Sequence, residues 1–156
     1  MSGQIAYFGG MKMLFIVLLS AISLGSSAQS LEGEWRGAYY SADLRKDVQM
    51  SLHFTLMKDN SYRVFSYTKI ESDAVGNDQV LVCLVNCKQV GSDSLYLEET
   101  KLVRPKDLKQ NCFQKFTLVI KQKKSGIMLE GNWANIDPKC VGEQAEQGGK
   151  ISFSKK

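Results

Sequence analysis

A single histidine, four cysteines and two adjacent glutamates are the side chains from which this chain would have to build chemistry. A Ser-His-Asp triad or a Cys-His dyad would have to use His53. It falls on the polar side of an alternating strand with no nucleophile motif beside it, which reads as a surface histidine. Glu98 and Glu99 are neighbours, and neighbours in a strand point to opposite faces, so the two carboxyls do not bear on one bond. No glycine-rich phosphate loop, zincin helix or dinucleotide fingerprint occurs. Cys83-x3-Cys87 with two distant cysteines is a poor match to a zinc site. The chain is therefore expected not to be an enzyme, with no catalytic residue, no metal and no cofactor.

The address is more legible than the chemistry. Met11-Lys12-Met13 gives a short basic start, Met13 to Leu24 is apolar apart from two serines, and Gly25-Ser26-Ser27-Ala28 places small residues before Gln29. That is the layout of a secretory signal peptide cleaved after Ala28. The apolar run is too short for a spanning helix, so membrane contact is expected only in transit. Residues 1–10 precede the basic start, which leaves Met1 and Met11 as alternative initiators. The organisation expected is an extension and signal peptide over 1–28 and one domain over 29–156, exported to a periplasmic or extracellular space. Beyond Ala28 the chain keeps all sixteen acids and loses only Lys12 of its twenty lysines and arginines, leaving a net charge of +3. A balance so mild does not point to nucleic acid.

The remaining residues repeat one pattern. Leu31, Gly33, Trp35, Gly37 and Tyr39 alternate with Glu32, Glu34 and Arg36. Val48 to Leu56 alternates most cleanly, and Asp59-Asn60-Ser61 turns the chain into Tyr62 to Ile70. Val80 to Val85 is a continuous apolar run that reads as a strand covered on both faces. Gly91-Ser92-Asp93 leads into Ser94 to Val103, Cys112 to Lys123 alternates again, and Lys124-Ser125-Gly126 leads into Ile127 to Ala134. Lys150 to Ser154 closes the set. The fold expected is all-β, about eight antiparallel strands in an up-and-down barrel, with a two-sheet β-sandwich as the alternative. Lys115, Lys121 and Lys123 lie on the outer face of the sixth strand, a solvated face or a weak anion site.

On this count Cys112 opens the sixth strand and Cys140 follows the seventh, at the same barrel end. A Cys112–Cys140 disulfide would stabilise by roughly 3–4 kcal/mol on the loop-entropy model. Cys83 and Cys87 in one straight strand lie about 13 Å apart, so they bond only across a bulge or turn and otherwise remain buried thiols.

Gly33-Glu34-Trp35 in the first strand of an eight-stranded meander resembles the lipocalin and calycin group. From Leu95-Tyr96-Leu97-Glu98-Glu99 through Cys112, Leu129-x-Gly131-x-Trp133 and Cys140 to Ile151-x-Phe153, the chain is similar to a class of uncharacterised secreted bacterial proteins. The likeness covers about residues 94–156 and the first strand. It implies a lipocalin-like β-barrel and a disulfide, and no known activity. Unlike true lipocalins, the chain has no clear helix after the last strand.

Trp35, Tyr39, Phe54, Phe116 and Trp133 all fall on inward positions, the candidate lining of a site for a small apolar or amphipathic ligand. The other expectation is a cell-envelope module that contacts a protein partner through Arg104–Asn111 and Asn135–Gly149. Alkylation of the oxidised chain followed by mass measurement is expected to leave Cys112 unmodified; a labelled Cys112 would overturn its pairing.

Overall fold

Alternation sets the architecture. In β2 (Lys46–Leu56), Val48, Met50, Leu52 and Phe54 are buried, while the residues between them face outward. An extended segment with a period of two can bury only one face in this way. The same rule produces β1 (Gly33–Ser41), β3 (Tyr62–Ile70), β4 (Gln79–Val90), β5 (Ser94–Arg104), β6 (Gln114–Lys123), β7 (Gly126–Asn135) and β8 (Gly148–Lys155). The structure is a computed structural model that describes residues 30–41, 45–70, 79–105, 112–137 and 148–156. No helix occurs among the described residues.

Each strand pairs antiparallel with its sequence neighbours, and β8 returns to β1, so the sheet closes on itself. The up-and-down barrel expected from the sequence is the fold, and the sandwich is not. Closure leaves no free strand edge. The seam is short, because β1 meets β8 only over Trp35–Ala38. Leu31–Lys156 form one compact unit.

The two ends of the barrel differ. At one end the strands are joined by tight turns. Between β2 and β3, Asn60 takes a left-handed φ of 63°, and the Asp59 carboxylate accepts bonds from the Ser61 amide (3.1 Å) and hydroxyl (2.6 Å). Between β6 and β7, Gly126 adopts φ 119° beside Lys123. The connections after β1, β3, β5 and β7 leave from the other end, and the last three of them are the longest between strands. Most of Arg104–Asn111 and Asn135–Gly149, the segments expected as contact loops, falls outside the described residues.

Two glycines let the small barrel close. A Cβ on Gly131 would sit 1.9 Å from the Thr117 carbonyl oxygen, and one on Gly37 would sit 2.2 Å from that of Ser152. These are close backbone approaches that no side chain permits. In the closed half the space between strands is filled by Trp35, Leu52, Phe116, Leu129 and Phe153, each completely buried.

Strand β4 departs from the sequence reading in one way. It is not covered on both faces: Val80 is 46% exposed, and the outer-face Leu84 is half-buried. Of the two outcomes left open for Cys83 and Cys87, they remain thiols and form no disulfide with each other. Two register shifts against β5 do bulge the ladder, between Val82 and Cys83 and between Leu84 and Val85. They do not turn β4 back on itself, and the sulfurs stay one strand segment apart on the inner face. Burial pushes the Cys87 thiol up to about 11.

Gly131→Ala is expected to lower stability by about 1–3 kcal/mol through overpacking. A urea midpoint equal to that of the unmodified chain would show that β6 and β7 can separate at this point.

Candidate functional site

The inner face changes character toward the long-loop end. There the inward side chains include Tyr39 on β1, Thr68 and Ser66 on β3, Cys83 on β4, Glu99 on β5, Gln114 on β6, and Trp133 and Asn135 on β7, with Ser66 paired to Cys83 and Gln114 to Asn135. All are buried. Polar groups brought out of water must find partners, and here they find one another.

The bonds form a belt across the lumen. The Ser66 hydroxyl donates to Glu99 Oε1 at 2.5 Å, and the Gln114 backbone amide donates to Glu99 Oε2 at 2.9 Å. Gln114 Nε2 donates to the Tyr39 hydroxyl at 2.9 Å, which joins β6 to β1 through the interior. The Tyr39 ring packs on that of Trp133 with centroids 4.4 Å apart. Among the described residues, two buried atoms of this belt have no hydrogen-bond partner, Gln114 Oε1 and Trp133 Nε1. The indole nitrogen lies beside Gly149, where a Cβ would come within 3.1 Å of it.

Glu99 is held inward by its register. Leu95, Leu97 and Glu99 alternate toward the core, and the β5 ladder shifts immediately afterward, opposite Leu84 and Val85. Burial pushes the Glu99 carboxyl above the usual range, against the opposing pull of the bonds from Ser66 and the Gln114 amide. Burial also raises the Tyr39 phenol; the Gln114 bond opposes this, and the nearby Glu99 charge adds to it. The phenol therefore stays protonated at neutral pH.

The five aromatics expected to line a ligand site divide between two places. Tyr39 and Trp133 belong to the belt and keep 7% and 6% of their surface. Trp35, Phe54 and Phe116 are fully packed in the core: Phe54 meets Tyr62 edge-on at 5.9 Å, and Phe116, the cross-strand partner of Trp133, meets Phe153 at 6.4 Å. The matching Leu-x-Gly-x-Trp segments end differently as well. The Trp35 indole N–H donates to the Leu31 carbonyl at 2.8 Å, whereas that of Trp133 has no acceptor.

The remaining chemistry-bearing residues lie elsewhere. His53 is on the outer face, stacked on Tyr67 at 4.3 Å. Glu98 faces outward and accepts a bond from the Tyr96 hydroxyl, so it does not share a site with Glu99. Lys121 and Lys123 both pair with Glu130, which pulls that carboxyl down to about 2 and takes up their charge. No group of metal-ligating side chains occurs among the described residues. Cys112 is disulfide-bonded, and Cys140, the partner expected for it, lies outside the described residues.

The sequence reading missed Glu99, Gln114 and Ser66. The signal for Glu99 was present in its register with Leu95 and Leu97. No family model, curated protein or solved structure matches the chain.

Glu99 gives a pH test. Below the ordinary glutamate range both the folded and unfolded chains hold its proton, and its contribution to stability is complete. As pH rises toward the raised folded value, the unfolded chain ionises first, so this contribution is lost by at most about 1.4 kcal/mol per pH unit. Glu34, Asp59 and Glu130, whose carboxyls are lowered by their partners, act in the opposite sense and are common to both proteins. The stability of Glu99→Gln relative to the unmodified chain is therefore expected to increase with pH across that interval. Urea melts that give a flat difference would exclude a raised Glu99.

Proposed function

We propose that this is an exported, lipocalin-like, non-enzymatic barrel that binds a small amphipathic molecule at its long-loop end. The observation that carries the reading is the pair of buried atoms without a partner among the described residues, Gln114 Oε1 and Trp133 Nε1, on the two side chains that touch Tyr39. Leaving a buried polar atom unpaired costs about 1–3 kcal/mol. A ligand that arrives with its own donor and acceptor recovers that cost, which favours a polar head at the belt over a purely apolar guest. Tyr39 and Trp133 are the aromatic contacts in this reading, and Trp35, Phe54 and Phe116 are packed core. The finer kinship with secreted bacterial proteins of the calycin type, a periplasmic or extracellular location and a Cys112–Cys140 bond tethering the last loop belong to the same proposal. It rests on the signal-type leader, the Gly33-x-Trp35 motif and the eight-strand meander.

Bromine-tagged octanol, a short-range quencher, tests it. The full chain carries two tryptophans. Quenching is expected to saturate with probe and to vanish in Trp133→Phe, with native mass spectrometry showing one bound probe. Unsaturable quenching, or saturable quenching that survives in Trp133→Phe, would exclude this site and turn attention to an envelope protein as partner.

A further inference from the structure

Closure removes the edges of whole strands, but the stagger of neighbouring strands in a barrel leaves strand ends covered on one side only. At the tight-turn end β4 has such a stretch. Its ladder with β3 stops at Val64–Val85, whereas its ladder with β5 continues to Val90–Ser94. Asn86 to Val90 therefore pair on one side alone. On the open side β3 contributes only Tyr62 and Arg63, which pair with Leu56 and Thr55 of β2. A cleft of about 820 Å³ opens there, with Lys58, Tyr62 and Arg63 on one wall and Leu84, Val85 and Asn86 on the other. A strand edge of this kind presents unpaired N–H and C=O groups in a row, the template onto which a further extended chain adds.

The side chains around the cleft define what that chain would carry. Val85 and Cys87 alternate toward the interior, where Cys87 and Tyr62 pack against the core. Asn86 and Lys88 alternate outward and are exposed. The outer rim also carries Lys58, Arg63 and, opposite Leu84, Lys101. Among the described residues none of these four cations makes an ion pair. Two acids stand near them. The Asp59 carboxylate accepts the Ser61 amide and hydroxyl, and Glu98, opposite Asn86, accepts the Tyr96 hydroxyl. Four cations against two acids leave the outer rim positive, while the inner wall is apolar. A second copy of this chain is a poor occupant. Two such edges paired antiparallel about their centres would set Lys88 against Lys88, a like-charge pair that weakens a sheet.

We infer that the cleft between β3 and β4 takes an extended acidic segment of another protein, added to the edge of β4 at Asn86–Val90. Its side chains alternate, with acidic residues on the outer side among Lys58, Arg63 and Lys88 and apolar ones on the inner side against Tyr62 and Cys87. Backbone pairing supplies the attachment, and the alternation sets the register. This site lies at the opposite end of the barrel from the belt. It goes beyond the proposed function and does not rest on it.

Fluorescein-labelled pentapeptides, followed by anisotropy against the full chain, test it. Glu-Val-Glu-Val-Glu is expected to bind saturably, one peptide per chain, and Lys-Val-Lys-Val-Lys is expected not to bind. Methylation of the backbone amides of the acidic peptide is expected to weaken it at least about tenfold, because strand pairing is lost while charge is kept. Glu-Glu-Glu-Val-Val, with the same composition, is expected to be weakened to a similar extent. Arg63→Glu combined with Lys88→Glu is expected to reverse the preference between the acidic and basic peptides, with near-ultraviolet circular dichroism showing that the variant is folded. A methylated or non-alternating peptide that binds as tightly as the parent would reduce the cleft to a charged patch and overturn strand addition. An acidic preference that survives the charge reversal, or no saturable binding up to about 1 mM peptide, would overturn it as well. Sedimentation showing a dimer that the acidic peptide does not dissociate would give the edge to a second copy instead.

Discussion

The constraint on which this structure depends is the closure of a sheet of only eight strands. Such a barrel has an interior just wide enough for the side chains that point into it. Every inward position is therefore either filler or site. Gly37 and Gly131 are the positions where even a methyl group is too much, because neighbouring backbones approach to bring the strands around. Where the lumen is filled by Trp35, Phe116 and Phe153, its shape is fixed by packing. Where it is crossed by Ser66, Glu99, Gln114 and Tyr39, its shape is fixed by hydrogen bonds instead.

That division gives the barrel a polarity along its axis that its strand pattern does not announce. The strands alternate in the same way from end to end, yet the closed half is apolar and the belt is not. The two tryptophans show the difference within one local motif. Trp35 is anchored by a carbonyl four residues earlier in the chain, so its polar atom is used up in holding the fold. Trp133 holds the same place in the motif but near the end of its strand, and there the same atom has no partner among the described residues. Fully satisfied polar networks rigidify a core.

Much of the fold was legible in the sequence, because period-two alternation in β2, β6 and β7 leaves few other solutions and the turn residues fall where the strands end. The site was less legible, for two physical reasons. Glu99 stands beside Glu98, and asking whether two adjacent carboxyls act together obscures the separate question of which one the register turns inward. Ser66, Thr68 and Gln114 are small or neutral polar residues that fit either face of a strand, and only the pairing of Ser66 with Cys83 and Gln114 with Asn135 fixes them inside. The apolar run of β4 misled in the opposite direction: β-branched residues suit a strand whether or not its outer face is covered, and Val80 is in fact open to solvent.

The short seam between β1 and β8 has a kinetic meaning. In a meander seven of the eight pairings join strands that follow one another in sequence, and each can form as a local hairpin at small entropic cost. The eighth must bring together segments separated by nearly the whole domain, and it does so over Trp35–Ala38 alone. Pairings of that range are slow to form and weakly rewarded until the core beneath them is packed. The belt spans this gap as well, since the Gln114–Tyr39 bond ties β6 to β1 without passing through β8. Glu99 and its partners thus serve as a clasp set inside the barrel, holding its first strand in place where the outer ladder is thinnest.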